Sequence, residues 1–201
     1  PFVMRITPVN DQPTLAATAV NPTYTEATPT VPVALYSAAT AGTGDTLGNP
    51  QLFTTLTLTV SNIGDGASEM LLVNGSAAGN QIELSGTTAS GNVGQVNGSN
   101  VSYTVTKSGN MATVTLTHAG MTVAELQTLV TGLKYQNTST NPSAGARAIN
   151  ITQLKDDGGG ALPNLDTAFL SLGSTVTMAS ANDTPTLAGT GFAVLEGGSF
   201  T

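Results

Sequence analysis

The strand pattern that decides the fold class is Leu52-Phe53-Thr54-Thr55-Leu56-Thr57-Leu58-Thr59-Val60. Its apolar residues alternate with threonines, and a period of two places the two kinds of side chain on opposite faces of a β-strand. Further along the chain, Val101–Lys107 and Met111–Thr117 are joined by Ser108-Gly109-Asn110, which predicts a hairpin. The sequence therefore predicts an all-β protein with antiparallel strands.

Other segments extend this pattern. Asp65-Gly66 predicts a turn, after which Glu69–Val73 returns beside the strand Leu52–Val60. Pro29 and Pro32 predict that Thr23–Tyr36 lies at the edge of a sheet. The remaining predicted strands are Gln81–Leu84, Leu133–Gln136, Ala148–Leu154 and Thr167–Thr177. About nine strands of this kind predict a β-sandwich.

One short helix is predicted within this β pattern. Thr122 and Glu125 have the spacing of a capping box, in which each side chain bonds to the backbone of the other residue. An apolar stripe follows and Gly132 ends the segment, as expected for a helix that packs one face on a core.

The composition excludes several classes of function. Only 8% of the residues are charged, twelve acidic residues face five basic ones for a net charge of −7, and there is no cysteine. Nucleic acids and anionic membranes require clustered Lys and Arg, so we expect neither as a partner, and no apolar run approaches the roughly 18 residues of a membrane helix. Without Cys there are no disulfides, thiol nucleophiles or thiolate metal sites, whereas the acidic balance favours a divalent cation.

The two ends of the chain repeat one another. Asn10-Asp11-Gln12-Pro13-Thr14-Leu15-Ala16 returns as Asn182-Asp183-Thr184-Pro185-Thr186-Leu187-Ala188, an offset of 183 − 11 = 172 residues. Recurrence of this kind indicates a slice of a tandem array. We expect residues 1–12 to be the end of one repeat and a linker, 13–183 a complete repeat, and 184–201 the start of the next.

Strand direction brings several acidic residues to one pole. The strand Thr167–Thr177 runs toward Asp183, and at ~3.3 Å per residue a strand of this length spans about 40 Å. The loop before it, with Asp156, Asp157 and Asp166, is therefore predicted at the pole where Asn10-Asp11 enters.

Carboxylates packed together repel one another, and Lys155 is the only basic residue nearby, so the cluster favours a bound cation. Calcium suits the cluster best, since it accepts about six to eight hard oxygen ligands, whereas zinc and copper favour Cys and His and only His118 is present. Simpler interpretations remain open. Asp156 and Asp157 could form a solvated turn, Asp166 could cap a strand end, and Asp11 and Asp183 could hydrogen-bond the backbone before proline.

Four motifs carry a resemblance to a known group: Val9-Asn10-Asp11-Gln12-Pro13-Thr14-Leu15, Asp65-Gly66-Ala67-Ser68-Glu69, Leu133-Lys134-Tyr135-Gln136-Asn137-Thr138 and Asp156-Asp157-Gly158-Gly159. Residues 9 to 187 resemble the cadherin-like repeats of giant bacterial surface adhesins and RTX-type proteins. The resemblance implies an Ig/cadherin-like antiparallel β-sandwich in a stalk of tandem modules, stiffened by Ca²⁺ and exported to the cell surface.

The same resemblance implies roles for individual residues. Asp11 and Asp183 would be linker ligands of calcium, and Glu26 is a candidate for the acidic residue on the first strand. Asp65 and Glu69, which flank a glycine turn, are either further ligands or surface residues.

The predicted function is that of an extender module in a large secreted or surface-bound bacterial adhesin, supporting cell adhesion or biofilm attachment. Its partners would be neighbouring repeats, with host or matrix glycan or protein bound by other domains. A glycan- or protein-binding module acting through the Gly/Asn-rich segment 74–100 is one alternative. A subunit of an extracellular filament, with residues 1–9 donated as a strand to a neighbour, is another. No G-x-S-x-G, H-E-x-x-H or P-loop motif supports an enzyme.

Overall fold

Thirteen β-strands and one α-helix form the part of the chain that the computed structural model describes, residues 8–26, 29–45, 51–74, 80–86 and 88–179. The early strands are β1 (Thr14–Ala19), β2 (Thr23–Thr25), β3 (Val33–Ala34), β4 (Tyr36–Gly42), β5 (Phe53–Ser61), β6 (Glu69–Leu72) and β7 (Gln81–Glu83). The later elements are β8 (Thr88–Val96), β9 (Ser99–Ser108), β10 (Met111–Met121), α1 (Val123–Thr131), β11 (Lys134–Asn137), β12 (Arg147–Asp156) and β13 (Thr167–Ala179).

The strands form three sheets in the described residues. The largest has seven strands in the order β2-β13-β12-β5-β10-β9-β8, the second has the order β3-β11-β6-β7, and β1 pairs with β4. Leu56 and Leu116 from the large sheet share one buried apolar cluster with Leu71 and Tyr135 from the second. The prediction of a mostly β chain with antiparallel sheets and a short helix is confirmed, and the layering is consistent with a β-sandwich.

Strand β5 lies at the centre of the large sheet, as its alternation predicts. Leu56, Leu58 and Val60 are fully buried, whereas Thr57 and Thr59 are half-buried on the other face. Antiparallel partners flank the strand on both sides, β10 and β12. Each fully buried aliphatic side chain of this size stabilises the fold by about 1.5–3 kcal/mol. The predicted hairpin is also confirmed, with β9 and β10 paired from Met111 and Ser108 onward.

Two strand predictions were wrong. Glu69–Leu72 does not return beside β5, because it crosses into the second sheet between β11 and β7, where buried Leu71 and Leu72 join the core. Segment 74–100 contains β8 in addition to the predicted short strand. The ring of Tyr103 lies so close to Gly91 that a Cβ there would be 2.9 Å from it, so this strand needs a glycine that weakens its sequence pattern.

The helix follows its sequence signal closely. The Thr122 backbone N–H donates to Glu125 Oε2 at 2.7 Å, the Glu125 N–H donates back to Thr122 Oγ1 at 3.4 Å, and Leu126 is among the buried residues of the stripe. No helix among the described residues is long and apolar enough to cross a membrane.

The long strands β12 and β13 define the two ends of the module. They pair antiparallel from Arg147 opposite Val176 to Lys155 opposite Thr167, so the loop 157–166 lies at one end. We call this end the N-terminal pole, because residues 8–13 enter there. The other end, where β12 begins and β13 finishes, is the C-terminal pole.

Candidate metal centre

Asn10 fixes the entering chain to the N-terminal pole. Its side chain is 4% exposed, and its Nδ2 donates to Asp156 Oδ1 at 3.2 Å and to the Leu165 carbonyl at 2.9 Å. Its backbone N–H donates to Asn164 Oδ1, and its carbonyl accepts from the Leu165 N–H, both at 2.9 Å. The predicted meeting of Asn10 with the loop after β12 is confirmed.

Asp156 is the buried acid of this pole. As the last residue of β12 it continues the inward-facing alternation of the strand and is 1% exposed. Its Oδ1 accepts from Asn10 Nδ2 and from the Gly158 N–H at 3.0 Å. Burial raises the pKa of this carboxyl, the two hydrogen bonds oppose the rise, and the charges of Asp166 and Asp157 add to it.

Two buried oxygens at this pole have no hydrogen-bond partner in the described residues, Asn10 Oδ1 and Asp156 Oδ2. The Asn10 amide orientation follows from its contacts, since Nδ2 faces oxygen acceptors. Its Oδ1 lies against Gly158, where a Cβ would be 2.1 Å away. A buried oxygen without a donor costs about 1–3 kcal/mol, so this pair has a physical need for a cation or a donor.

The other predicted acids of the pole are placed around this pair. Asp157 is exposed, and its Oδ1 accepts from the Leu52 N–H at 2.9 Å. Asp166 bonds to the Thr167 hydroxyl at 2.7 Å and to Lys155 Nζ at 2.9 Å, and these hydrogen bonds lower its pKa. Asp11 lies one residue after Asn10 with its side chain exposed.

Sequence reasoning missed two further oxygens in the segment that connects β4 to β5. Asp45 Oδ1 accepts from the Asp11 N–H at 3.2 Å, and both Asp45 Oδ2 and Gln51 Oε1 are buried without a partner in the described residues. The pairing of Thr14 with Gly42 brings the end of β4 to the pole. Gly44-Asp45 is a visible turn signal, but only that pairing reveals its position.

Glu26 is not brought to this centre. Thr25 pairs with Ala179 at the end of β13, so Glu26 lies at the C-terminal pole. Asp183 lies outside the described residues.

Asp65 and Glu69 belong to a different cluster, around buried Arg147. Arg147 Nη2 lies 3.1 Å from Asp65 Oδ2 and 3.0 Å from Glu69 Oε1, and Arg147 Nε lies 3.0 Å from Glu69 Oε2. The Tyr135 hydroxyl donates to Glu69 Oε2 at 2.8 Å. Arg147 is at the opposite end of β12 from Asp156, about 30 Å away at ~3.3 Å per residue. Both acids are therefore satisfied in an ion-pair network, and we leave them out of the candidate metal centre.

His118 is structural in this fold. It is 5% exposed, its Nδ1 accepts from the Gly120 N–H at 3.0 Å, and its Nε2 lies 2.9 Å from the Val96 carbonyl. These contacts assign the proton to Nε2 and occupy both ring nitrogens.

The donor set of the N-terminal pole is mixed. Within the described ranges, no three His, Cys, Asp or Glu side chains are grouped so that they could hold a metal ion by themselves. The unpartnered oxygen of Asp156 belongs to a carboxylate and that of Asn10 to an amide, and calcium accepts both kinds of ligand.

Comparisons with protein-family models, curated proteins and solved structures found no match to this chain.

Proposed function

We propose that this chain is an Ig/cadherin-like extender module of a large secreted or surface-bound bacterial adhesin, in which calcium stiffens the junctions between repeats and so supports adhesion or biofilm attachment. The observation that carries the proposal is that Asn10 and Asp156, which are hydrogen-bonded to each other, each have a buried oxygen without a partner, Asn10 Oδ1 and Asp156 Oδ2. The repeated Asn-Asp-x-Pro motif supports the tandem array.

The proposed mechanism is electrostatic. Calcium at this pole would neutralise Asp156 and draw the linker oxygen of Asn10 to the same ion, with Asp11, Asp157, Asp166 and Asp45 as further candidate ligands. An ion shared by linker and domain removes the conformational freedom of the hinge. The array would then behave as a rod that holds a distal binding domain away from the cell.

The positions of Glu26 and Asp183 fit the next junction of such an array. Glu26 lies where β13 ends, and Asp183 follows Ala179 by four residues and repeats Asp11 in the sequence. We therefore assign these two acids to the junction with the following module.

Calorimetric titration of the chain with CaCl₂ tests the proposal. We expect saturable binding with a dissociation constant of about 10⁻⁴ to 10⁻³ M, the range of extracellular modules. Asp156→Asn keeps the shape of the side chain and removes its charge, so binding should weaken by at least about tenfold.

The matched control is Glu83→Gln, which neutralises an exposed acid of β7. This variant should bind calcium like the wild type. Absence of a calcium-dependent heat in the wild-type chain, or equal affinity in Asp156→Asn, contradicts the proposal.

A second candidate function, glycan or protein binding, is favoured by one observation. Phe169 is 80% exposed and faces away from the core opposite Gln153, so a stacking ring and an amide lie side by side on the large sheet. A glycan array probed with the wild type and with Phe169→Ala separates this function from the extender role.

A further inference from the structure

Exposed apolar side chains gather at the N-terminal pole. Val9 is 41% exposed, Leu162 84% and Leu165 48%. The hydrogen bond from the Leu165 N–H to the Asn10 carbonyl places Leu165 beside the residue after Val9, and Leu162 lies in the same loop. Exposed groups of large apolar side chains often mark an interaction surface.

The length of the linker identifies what can cover this surface. Strand β13 ends at Ala179, and Asn182, which repeats Asn10, follows three residues later. Three residues span at most ~11 Å. Asn10 is held inside the N-terminal pole of its module, so a following module of the same fold must bring that pole to the end of β13.

The opposite end of the module offers apolar groups as well. Met111, the first residue of β10, is 44% exposed, and Val31, two residues before β3, is 63% exposed. Ala112 pairs with Val60, which in turn pairs with Ile149 near the start of β12, so Met111 lies at the C-terminal pole. Two successive modules therefore present apolar side chains to each other across the junction.

We propose that Val9, Leu162 and Leu165 form a docking surface for the C-terminal pole of the preceding copy of this module, so that neighbouring modules touch directly. The proposal rests on the tandem array of the proposed function, but not on calcium. It makes the junction an interface of protein atoms in addition to a metal site.

The chain has no cysteine, so a single introduced thiol reports the accessibility of this surface. The test protein is the full chain with one module duplicated in register, residues 1–180 followed by residues 9–201, so that the second copy keeps Val9. Leu162→Cys is introduced in the second copy, and its rate of maleimide labelling is compared with that of Leu162→Cys in the single chain. We expect labelling to be at least about tenfold slower in the duplicated chain.

Two further variants keep the result decisive. Leu165→Cys in the second copy should show the same protection. Val20→Cys in the second copy is the control, because Val20 lies between β1 and β2 and is 42% exposed, and it should be labelled at the same rate in both proteins. Equal rates at residues 162 and 165 in single and duplicated chains would overturn the docking surface.

Calcium titration of the same proteins separates this proposal from the metal centre. Calcium binding without protection of residues 162 and 165 leaves the metal centre standing and removes the interface. Protection of residues 162 and 165 without calcium binding supports the interface and removes the metal centre.

Discussion

Gly158 is the residue on which the geometry of the N-terminal pole depends most directly. A Cβ at this position would lie 2.1 Å from Asn10 Oδ1, so a side chain must displace the linker amide. We expect Gly158→Ala to lower the free energy of unfolding by about 1–3 kcal/mol and to weaken calcium binding, as measured by urea denaturation and calorimetry.

Gly173→Ala is the matched control for this substitution. Its Cβ would meet only Asn150 Oδ1, at the ordinary distance of 4.0 Å. Stability and calcium affinity should remain near those of the wild type, and an equal loss in both variants would refute the steric explanation.

Arg147 offers a second test at the scale of single residues. Replacement by Met leaves the carboxylates of Glu69 and Asp65 buried without their cation, so we expect a loss of about 3–5 kcal/mol in the free energy of unfolding. The pair of Lys155 with Asp166 is less buried and provides the contrast, and Lys155→Met should lose less than about 1 kcal/mol when measured without calcium. Similar losses would show that burial of the pair is not decisive.

The same network predicts a response to acid. Burial opposes ionisation of Asp65, but hydrogen bonds from Asn137 and Ser143 and the charge of Arg147 outweigh it and lower its pKa below the ordinary value of 3.8. A carboxyl with a depressed folded pKa contributes stability above its unfolded pKa and loses it as the pH falls through the folded pKa.

Unfolding free energies measured from pH 7 to pH 2 test this response. The wild type should lose stability below pH 3.8, and Asp65→Asn should lose less over the same interval. Parallel curves for the two proteins would assign the acid sensitivity to other groups.

At the scale of elements, the helix provides the clearest prediction. The Thr122 side chain accepts from the Glu125 N–H, so Thr122→Ala removes a cap and should lower the free energy of unfolding by about 1 kcal/mol, as measured by urea denaturation. Thr128→Ala is the control, because its hydroxyl bonds only to the Ala124 carbonyl within the helix and Ala is the better helix former. A loss in Thr128→Ala as large as that in Thr122→Ala would contradict the capping role.

Some elements were predictable because their signals are local. The capping box lies within four residues, and the alternation of β5 lies within a single strand, so neither needs tertiary information. Strand β8 was missed because its Gly91 is required by packing against the ring of Tyr103 in the next strand, a contact that the sequence of β8 alone does not reveal. The placement of β6 could not be read from its own residues, since Glu69 is bound by Arg147, 78 positions away.

At the scale of the whole molecule, strand direction was enough to bring Asn10 and Asp156 to one pole. The presence of Asp45 at this pole could not be predicted from the sequence, because its position follows from the pairing of β4 with β1. Glu26 was a candidate for the acidic residue on the first strand, and the parallel pairing of β2 with β13 places it at the C-terminal pole.

The duplicated chain tests the extender role at this scale. If calcium stiffens the junction, solution scattering in calcium should show a single extended shape, and a chelator should broaden the distribution of dimensions because the hinge regains its freedom. Asp156→Asn in both copies should give the broad distribution under both conditions. A scattering profile that ignores the chelator in the wild type would remove calcium from the mechanism.

The pairing of β2 with β13 has a mechanical consequence for such a stalk. Thr23, Tyr24 and Thr25 run parallel to Thr177, Met178 and Ala179, and the Thr177 N–H also donates to the Pro22 carbonyl at 2.9 Å. A pulling force applied at Asn10 and at Ala179 displaces the two strands in opposite directions along their length. The hydrogen bonds between them are then loaded in shear and must break together instead of one after another, so in the proposed stalk this pairing would resist drag on an anchored cell.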